Sequence, residues 1–355
     1  MTDIRSFRDY VTTRFENEIW DALDRYITER PAALDVRSYL VNSPEEAELC
    51  DITYKRVDVF DTQDDSVLFD VIIEAEITIS GKSRRDRESD DVSQWFRVSC
   101  RADLENGKLD GFVINSISVY DRRQQSRTDT LSDTLVPVIA KENFDDVAEL
   151  FLKKYYPEAL LAPTPINVRE VIRRMGLNIK ETRISRYFSL FGEMVFSDCK
   201  ADVFNTLSRK AVPLEVRRGT ILIDPDVFFM RNIGSWNNTV IHECVHWFKH
   251  RKYHWLAGLY RSDTGYISCK VDERYARDRK KWSDWDWMEW HANGIAPRIL
   301  MPKNQTIAKI EELIIKNSRL CSTQCRQAIG DICERSNEKD IQKVKKHLTN
   351  GKRRQ

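Results

Sequence analysis

Apolar residues near the start of the chain recur at three- and four-residue steps: Ile4, Phe7, Val11, Phe15, Ile19, Leu23 and Ile27. That spacing lines one face of a helix, so residues 2–29 are expected to form a single amphipathic helix capped by Thr2 or Asp3. The period then drops to two. Val67, Phe69, Val71, Ile73, Ala75, Ile77 and Ile79 alternate with their neighbours without a miss, which predicts a long strand buried on one side. A polar stretch, 81–91, precedes a second strand around Trp95–Ala102. Asn106-Gly107 is a strong hairpin turn and leads into a third strand at Phe112–Tyr120. One helix against an antiparallel meander makes an α+β unit, placed at residues 1–125. It carries no cluster of metal ligands and no glycine-rich phosphate loop, so a sensor or substrate-docking role is assigned only by default.

The polar, aperiodic run that begins at Asp121 marks a linker, set at 126–140. Beyond it, Phe144–Tyr155 reads as a helix that stops before Pro157. Asn167 can cap a short helix ending at Gly176, and strands are expected at Leu177–Thr182, Leu190–Phe196 and Thr220–Ile223. A further helix begins near Ser235. These elements form a second unit, 141–304, followed by a helical segment, 305–355. In that segment Ile307, Ile310, Leu313 and Ile314 mark one amphipathic helix, and Ser322 can cap another.

Composition narrows the class. With 57 basic against 56 acidic residues, bulk attraction to nucleic acid or an anionic membrane is not implied. The basic end (Arg335, Lys339, Lys343, Lys345, Lys346, Lys352, Arg353 and Arg354) is compatible with DNA contact, but a solvated tail is the preferred reading. No run approaches the roughly 18 apolar residues of a membrane span. The first residues lack the basic-then-apolar order of a signal peptide. A soluble cytoplasmic protein is therefore expected. The eight cysteines are scattered, which suits free thiols rather than a disulfide scaffold. Cys321, Cys325 and Cys333 offer no C-x-x-C pair and fit core thiols better than a second zinc site.

The candidate chemistry sits in the histidines. Five of the six lie between 242 and 291, and His242, His246, His250 and His254 are spaced by four. Only the first pair has the form His242-Glu243-Cys244-Val245-His246, an H-E-x-x-H. Side chains one turn apart, about 6 Å along the axis, can converge on one tetrahedral zinc. Glu243 projects about 60° to one side, where it can take a proton from a water at the metal. Surface histidines with a capping glutamate would give the same pentapeptide. The apolar setting (Val240, Ile241, Cys244, Val245, Trp247 and Phe248) argues for burial instead, and buried neutral histidines need partners. His250 lies about 12 Å along the axis from His242, too far to share a small ion with both histidines of an unbroken helix. The better third ligand is Glu289, on a helix that Ser283 or Asp284 can cap. Ala292 and Ala296 give that helix a small-residue seam.

At this point the sequence resembles the ImmA/IrrE-type metallopeptidases. The resemblance rests on the H-E-x-x-H at 242–246 and on Glu289, Ala292, Asn293, Ala296, Leu300, Met301 and Pro302, which match E-x-x-A-N-x-x-A-x-x-x-L-M-P. It extends upstream to about residue 140 and covers about half the chain. It implies a minimal zincin-like fold with Zn2+ held by His242, His246 and Glu289, and Glu243 as general base. It also implies a protein or peptide substrate, with a repressor-like regulator as the one the family suggests. His250, Tyr253 and His254 are candidates for a neighbouring or oxyanion-stabilising role. Val245 stands where the family commonly has glycine. Arg251–Ser283 looks like an insertion between His246 and Glu289, and Pro297 is expected to kink the second helix. Trp282, Trp285, Trp287 and Trp290 are read as core packing in preference to an aromatic wall over the site. The alternative to a zinc endopeptidase is a catalytically silent zincin-like module with a regulatory or DNA-associated role.

Overall fold

The computed structural model describes residues 6–36, 38–41, 43–62, 64–82, 87–104, 109–121, 131–260, 266–270 and 279–316. The N-terminal amphipathic stripe is realised as two helices, α1 (Phe7–Arg14) and α2 (Glu16–Glu29), not one. Phe15 leaves helical geometry at φ −117° and ψ 21°. Its ring stacks on Phe112 at 4.0 Å between centroids, while Phe7 meets Phe69 edge-on at 5.2 Å. The bend keeps both ends of the stripe on a sheet that twists beneath it. Ser6 caps α1, accepting from the Asp9 amide at 3.1 Å; Thr2 and Asp3 lie outside the described residues.

That sheet is an antiparallel meander of β1 (Glu46–Phe60), β2 (Ser66–Lys82), β3 (Arg87–Asp103) and β4 (Asp110–Val119), in sequence order. The seven alternating residues of β2 are each exposed by 1% or less. They face the helices, and the opposite face carries pairs such as Lys55–Glu74 and Arg97–Asp70. Strand β1 was not expected. Register shifts at Leu49/Asp51 and Tyr54/Arg56 break its alternation, which hides it from any search for a period of two. The Asn106-Gly107 turn lies outside the described residues.

The second unit begins with α3 (Phe144–Tyr155) and α4 (Val168–Met175), which Asn167 caps and Gly176 ends at φ 70°. Strands β5 (Asn178–Glu181), β6 (Leu190–Val195), β7 (Cys199–Asn205), β8 (Lys210–Val216) and β9 (Thr220–Ile223) follow. Then come α5 (Asp226–Met230) and α6 (Ile233–Val245), a π-helical turn at His246–His250, and α7 (Arg251–Tyr260). The last elements are β10 (Tyr266–Lys270), α8 (Asp284–Leu300) and α9 (Lys303–Lys316). The central sheet runs β10-β6-β9-β5, with β5 and β9 parallel and the other pairs antiparallel. One face packs on α6 through Met194, Ile221 and Ile223. The other packs on the β7–β8 hairpin through Val195, Leu222, Ala201 and Val216. A strand covered on both faces must be apolar throughout, as Thr220–Ile223 nearly is.

The fold is therefore α+β, as expected. The expected insertion contributes α7 and adds β10 to the β6 edge. Pro297 lies inside α8. Within the span placed as a linker, Leu135 and Val136 are buried in the main core, and the Leu131 amide donates to Val59 at 2.9 Å. The Ser322-capped helix, Cys321, Cys325, Cys333 and the basic tail lie outside the described residues. Cys50, Cys100, Cys199 and Cys244 are free thiols. Among the described residues, no helix is long and apolar enough to cross a membrane.

Candidate metal centre

Asn232 starts α6 by accepting from the Ser235 amide at 2.8 Å, a little earlier than expected. From there the helix passes beneath the sheet, and every residue from Thr239 to Val245 is buried. Close approach depends on Gly192 of β6. A Cβ there would lie 2.9 Å from Thr239 Cγ2 and 3.1 Å from Glu243 Oε1. Helix α8 packs on the other side, started by a capping box between Ser283 and Asp286. Ala292 and Ala296 are fully buried, as a seam of small residues requires. Gly294 admits the Phe144 ring, which a Cβ would strike.

These contacts bring His242, His246 and Glu289 together. The two Nε2 atoms are 3.0 Å apart. Glu289 Oε2 lies 3.2 Å from His242 Nε2, and Oε1 lies 3.2 Å from His246 Nε2. A tetrahedral ion with ligands at about 2.0–2.1 Å holds them about 3.3–3.4 Å from one another. The His242–His246 separation is within a few tenths of an ångström of that edge, and with one donor atom from each residue the three lie within 4.8 Å of one another. All three residues are exposed by 1% or less. The group can hold a metal ion, and the donor set fits one: two neutral imidazoles and one carboxylate. Glu289 Oε1 is also buried without a hydrogen-bond partner, which a cation would remedy.

The electrostatics agree with that arrangement. Burial alone would raise the Glu289 carboxyl, but His246 and His242 outweigh it and hold the carboxyl well below the usual carboxylate range. Burial lowers His246, which keeps it neutral and able to coordinate. Burial pushes Glu243 up to about 8, aided by Glu289 and Glu193 and opposed by His242. The Met194 amide pulls weakly the other way.

The chain matches no protein-family model, no curated protein and no solved structure. Of the other candidates, His250 is joined to the group: its Nδ1 lies 3.0 Å from His246 Nδ1. His254 stacks face to face on Phe196 at 4.1 Å, with Tyr253 edge-on to it at 5.0 Å. Trp282, Trp287 and Trp290 pack on one another at 4.7–5.9 Å, and Trp290 meets Phe144 at 4.7 Å. With Trp285, Trp287 and Trp290 half-buried against the main core, packing describes this cluster.

Two residues were not legible. Gly192 is a lone glycine in a strand, a weak sign of close approach. His291 follows Glu289 by two positions, about 200° around the helix, so periodicity gives no reason to join them. Yet His291 Nδ1 lies 3.4 Å from His250 Nε2.

Proposed function

We propose that this chain is a zinc-dependent metalloendopeptidase resembling the ImmA/IrrE type, with a minimal zincin-like unit built on α6, α8 and the β10-β6-β9-β5 sheet. The observation that carries the reading is the buried His242/His246/Glu289 triangle with Glu243 beside it. Three protein donors leave the fourth tetrahedral position open, the mark of a catalytic rather than a structural zinc site.

When bound, zinc would act as a Lewis acid toward the scissile carbonyl and lower the pKa of water. His242 and His246 would hold it through Nε2 and Glu289 through its carboxylate. Glu243 does the proton work. Burial raises its carboxyl, and a cation held by the neighbouring ligands would favour the ionised form, which can accept a proton from the attacking water and return it to the leaving amine. The substrate class is a protein or peptide, with a repressor-like regulator as the candidate the resemblance suggests.

One observation favours a second reading, a metal-stabilised module without catalysis. Glu243 and the three metal-binding side chains are exposed by 1% or less, so a peptide reaches them only if covering structure moves. The Glu243→Gln variant separates the two. Zinc-loaded wild type and variant are incubated with a proteome-derived peptide library, and new termini are read by mass spectrometry. A peptidase predicts cleavages that a zinc chelator stops and that fall at least 100-fold in the variant, which still holds its zinc. Equal cleavage by both proteins, or none by the wild type, would turn the reading toward the silent module.

A further inference from the structure

Each histidine that binds zinc through Nε2 must carry its ring proton on Nδ1. For His246 that proton has one destination among the contacts around it: His250 Nδ1, at 3.0 Å. The contact requires His250 to accept at Nδ1 and therefore, as a neutral ring, to carry its own proton on Nε2. That nitrogen faces His291 Nδ1 at 3.4 Å. His291 then accepts at Nδ1 and, as a neutral ring, carries its own proton on Nε2. The tautomers of three rings are thus fixed in series once the first nitrogen takes a metal. All three are exposed by 1% or less, so water does not compete for these positions.

The backbone is shaped for this contact. His246–His250 is a π-helical turn inside an otherwise α-helical run from 233 to 260, and single wide turns of this kind concentrate at functional sites. An α-helix would rotate each successive histidine of the row by about 40°. The wide turn changes that rotation just after His246. His250 then sits between His246 on one side and α8 on the other, its ring within 20° of parallel to His291 with centroids 5.5 Å apart.

We propose that His250 and His291 are positioning residues: a buried imidazole relay, His246 to His250 to His291, that locks His246 as an Nε2 zinc ligand. Metal-binding histidines ordinarily give their second N–H to a carboxylate, carbonyl or water; here imidazoles fill that place. Neither residue is among the three donors that could hold the ion. The relay rests on the zinc reading above, and its test keeps the two apart.

The test measures zinc affinity by competition with a chromophoric chelator for the full-length wild type, His250→Phe, His250→Gln and His291→Phe. Melting of each metal-free protein is recorded alongside, as is the visible spectrum of the cobalt-loaded form. His250→Phe keeps an aromatic ring but offers no acceptor, and is expected to lose about 10–100-fold in zinc affinity. Its cobalt spectrum is expected to change, while metal-free melting stays close to the wild type. His250→Gln can accept from His246 and donate to His291, and is expected to recover most of that loss. His291→Phe is expected to fall between them, and gives an independent answer should His250→Phe not fold. Wild-type affinity and cobalt spectrum in the two Phe variants would overturn the relay and leave the zinc reading standing. A wild type that binds no zinc would overturn both.

Discussion

At Gly192 the difference between a hydrogen and a methyl group decides where Glu243 can stand. The glycine lies on β6 directly over α6, and a Cβ would press on Thr239 Cγ2 at 2.9 Å and Glu243 Oε1 at 3.1 Å. Neither neighbour has space to retreat, since Thr239 is 4% exposed and Glu243 is fully buried. Gly192→Ala is therefore expected to cost about 1–3 kcal/mol of stability through overpacking. It is also expected to cut hydrolysis about 10–100-fold by shifting the base, because small misplacements of a reacting group are costly. The ligands are not touched, so zinc content is expected to stay near the wild-type value. Elemental analysis of the variant beside its cleavage rate checks both expectations together. Substitutions at Gly192 and Glu243 thus share a signature, zinc retained and turnover lost, that a substitution at Glu289 does not.

At the scale of elements, the helix that carries His242 and His246 is held from outside its own sequence. A π-helical turn disturbs the regular ladder of backbone bonds. Arg251 meets that disturbance: its Nη1 donates to the carbonyls of Trp247 and Phe248, both at 3.2 Å. The same guanidinium donates through Nε to Asp65 at 2.8 Å and through Nη2 to the Asp64 carbonyl at 3.1 Å. Arg251→Met would strip these bonds from a side chain only 8% exposed. It is expected to destabilise the protein by about 2–4 kcal/mol, as losses of buried charge-assisted bonds do. Urea unfolding of the metal-free protein measures that cost.

Regular periods account for what was legible in the sequence. The seven alternating residues of β2 and the caps at Asn167 and Ser283 follow local rules that tertiary contacts then reinforce. Strand β1 hid behind two register shifts, and the single helix over 2–29 divides at Phe15 for the sake of the sheet beneath it. The H-E-x-x-H was readable because two ligands one helical turn apart leave a local mark. The His250–His291 contact was not, because it depends on α8 arriving from 41 residues away, and the π turn leaves no periodic mark of its own.

At the scale of the whole molecule, the N-terminal unit reaches the histidine-bearing helical run through the β1–β2 turn. The loop between β1 and β2 supplies Asp61, Thr62, Asp64 and Asp65. Lys249 pairs with Asp61 at 2.6 Å, and the buried Lys252 donates to the Thr62 carbonyl at 2.9 Å. Burial lowers the Lys252 ammonium to about 8, against the pull of Asp61. The main core also runs through both units without a break, from Phe7 to Ile299. A change in the N-terminal sheet is thus mechanically continuous with the turn that carries His246 and His250.

The proposed chemistry depends on one ion at one place. Zinc per chain, measured by elemental analysis on the wild type and on Glu289→Ala purified identically, tests this most directly. About one zinc in the wild type and a sharply reduced content in the variant is the predicted result. A wild type that takes up no zinc when supplied with it, or a variant that keeps its zinc, would contradict the His242/His246/Glu289 site.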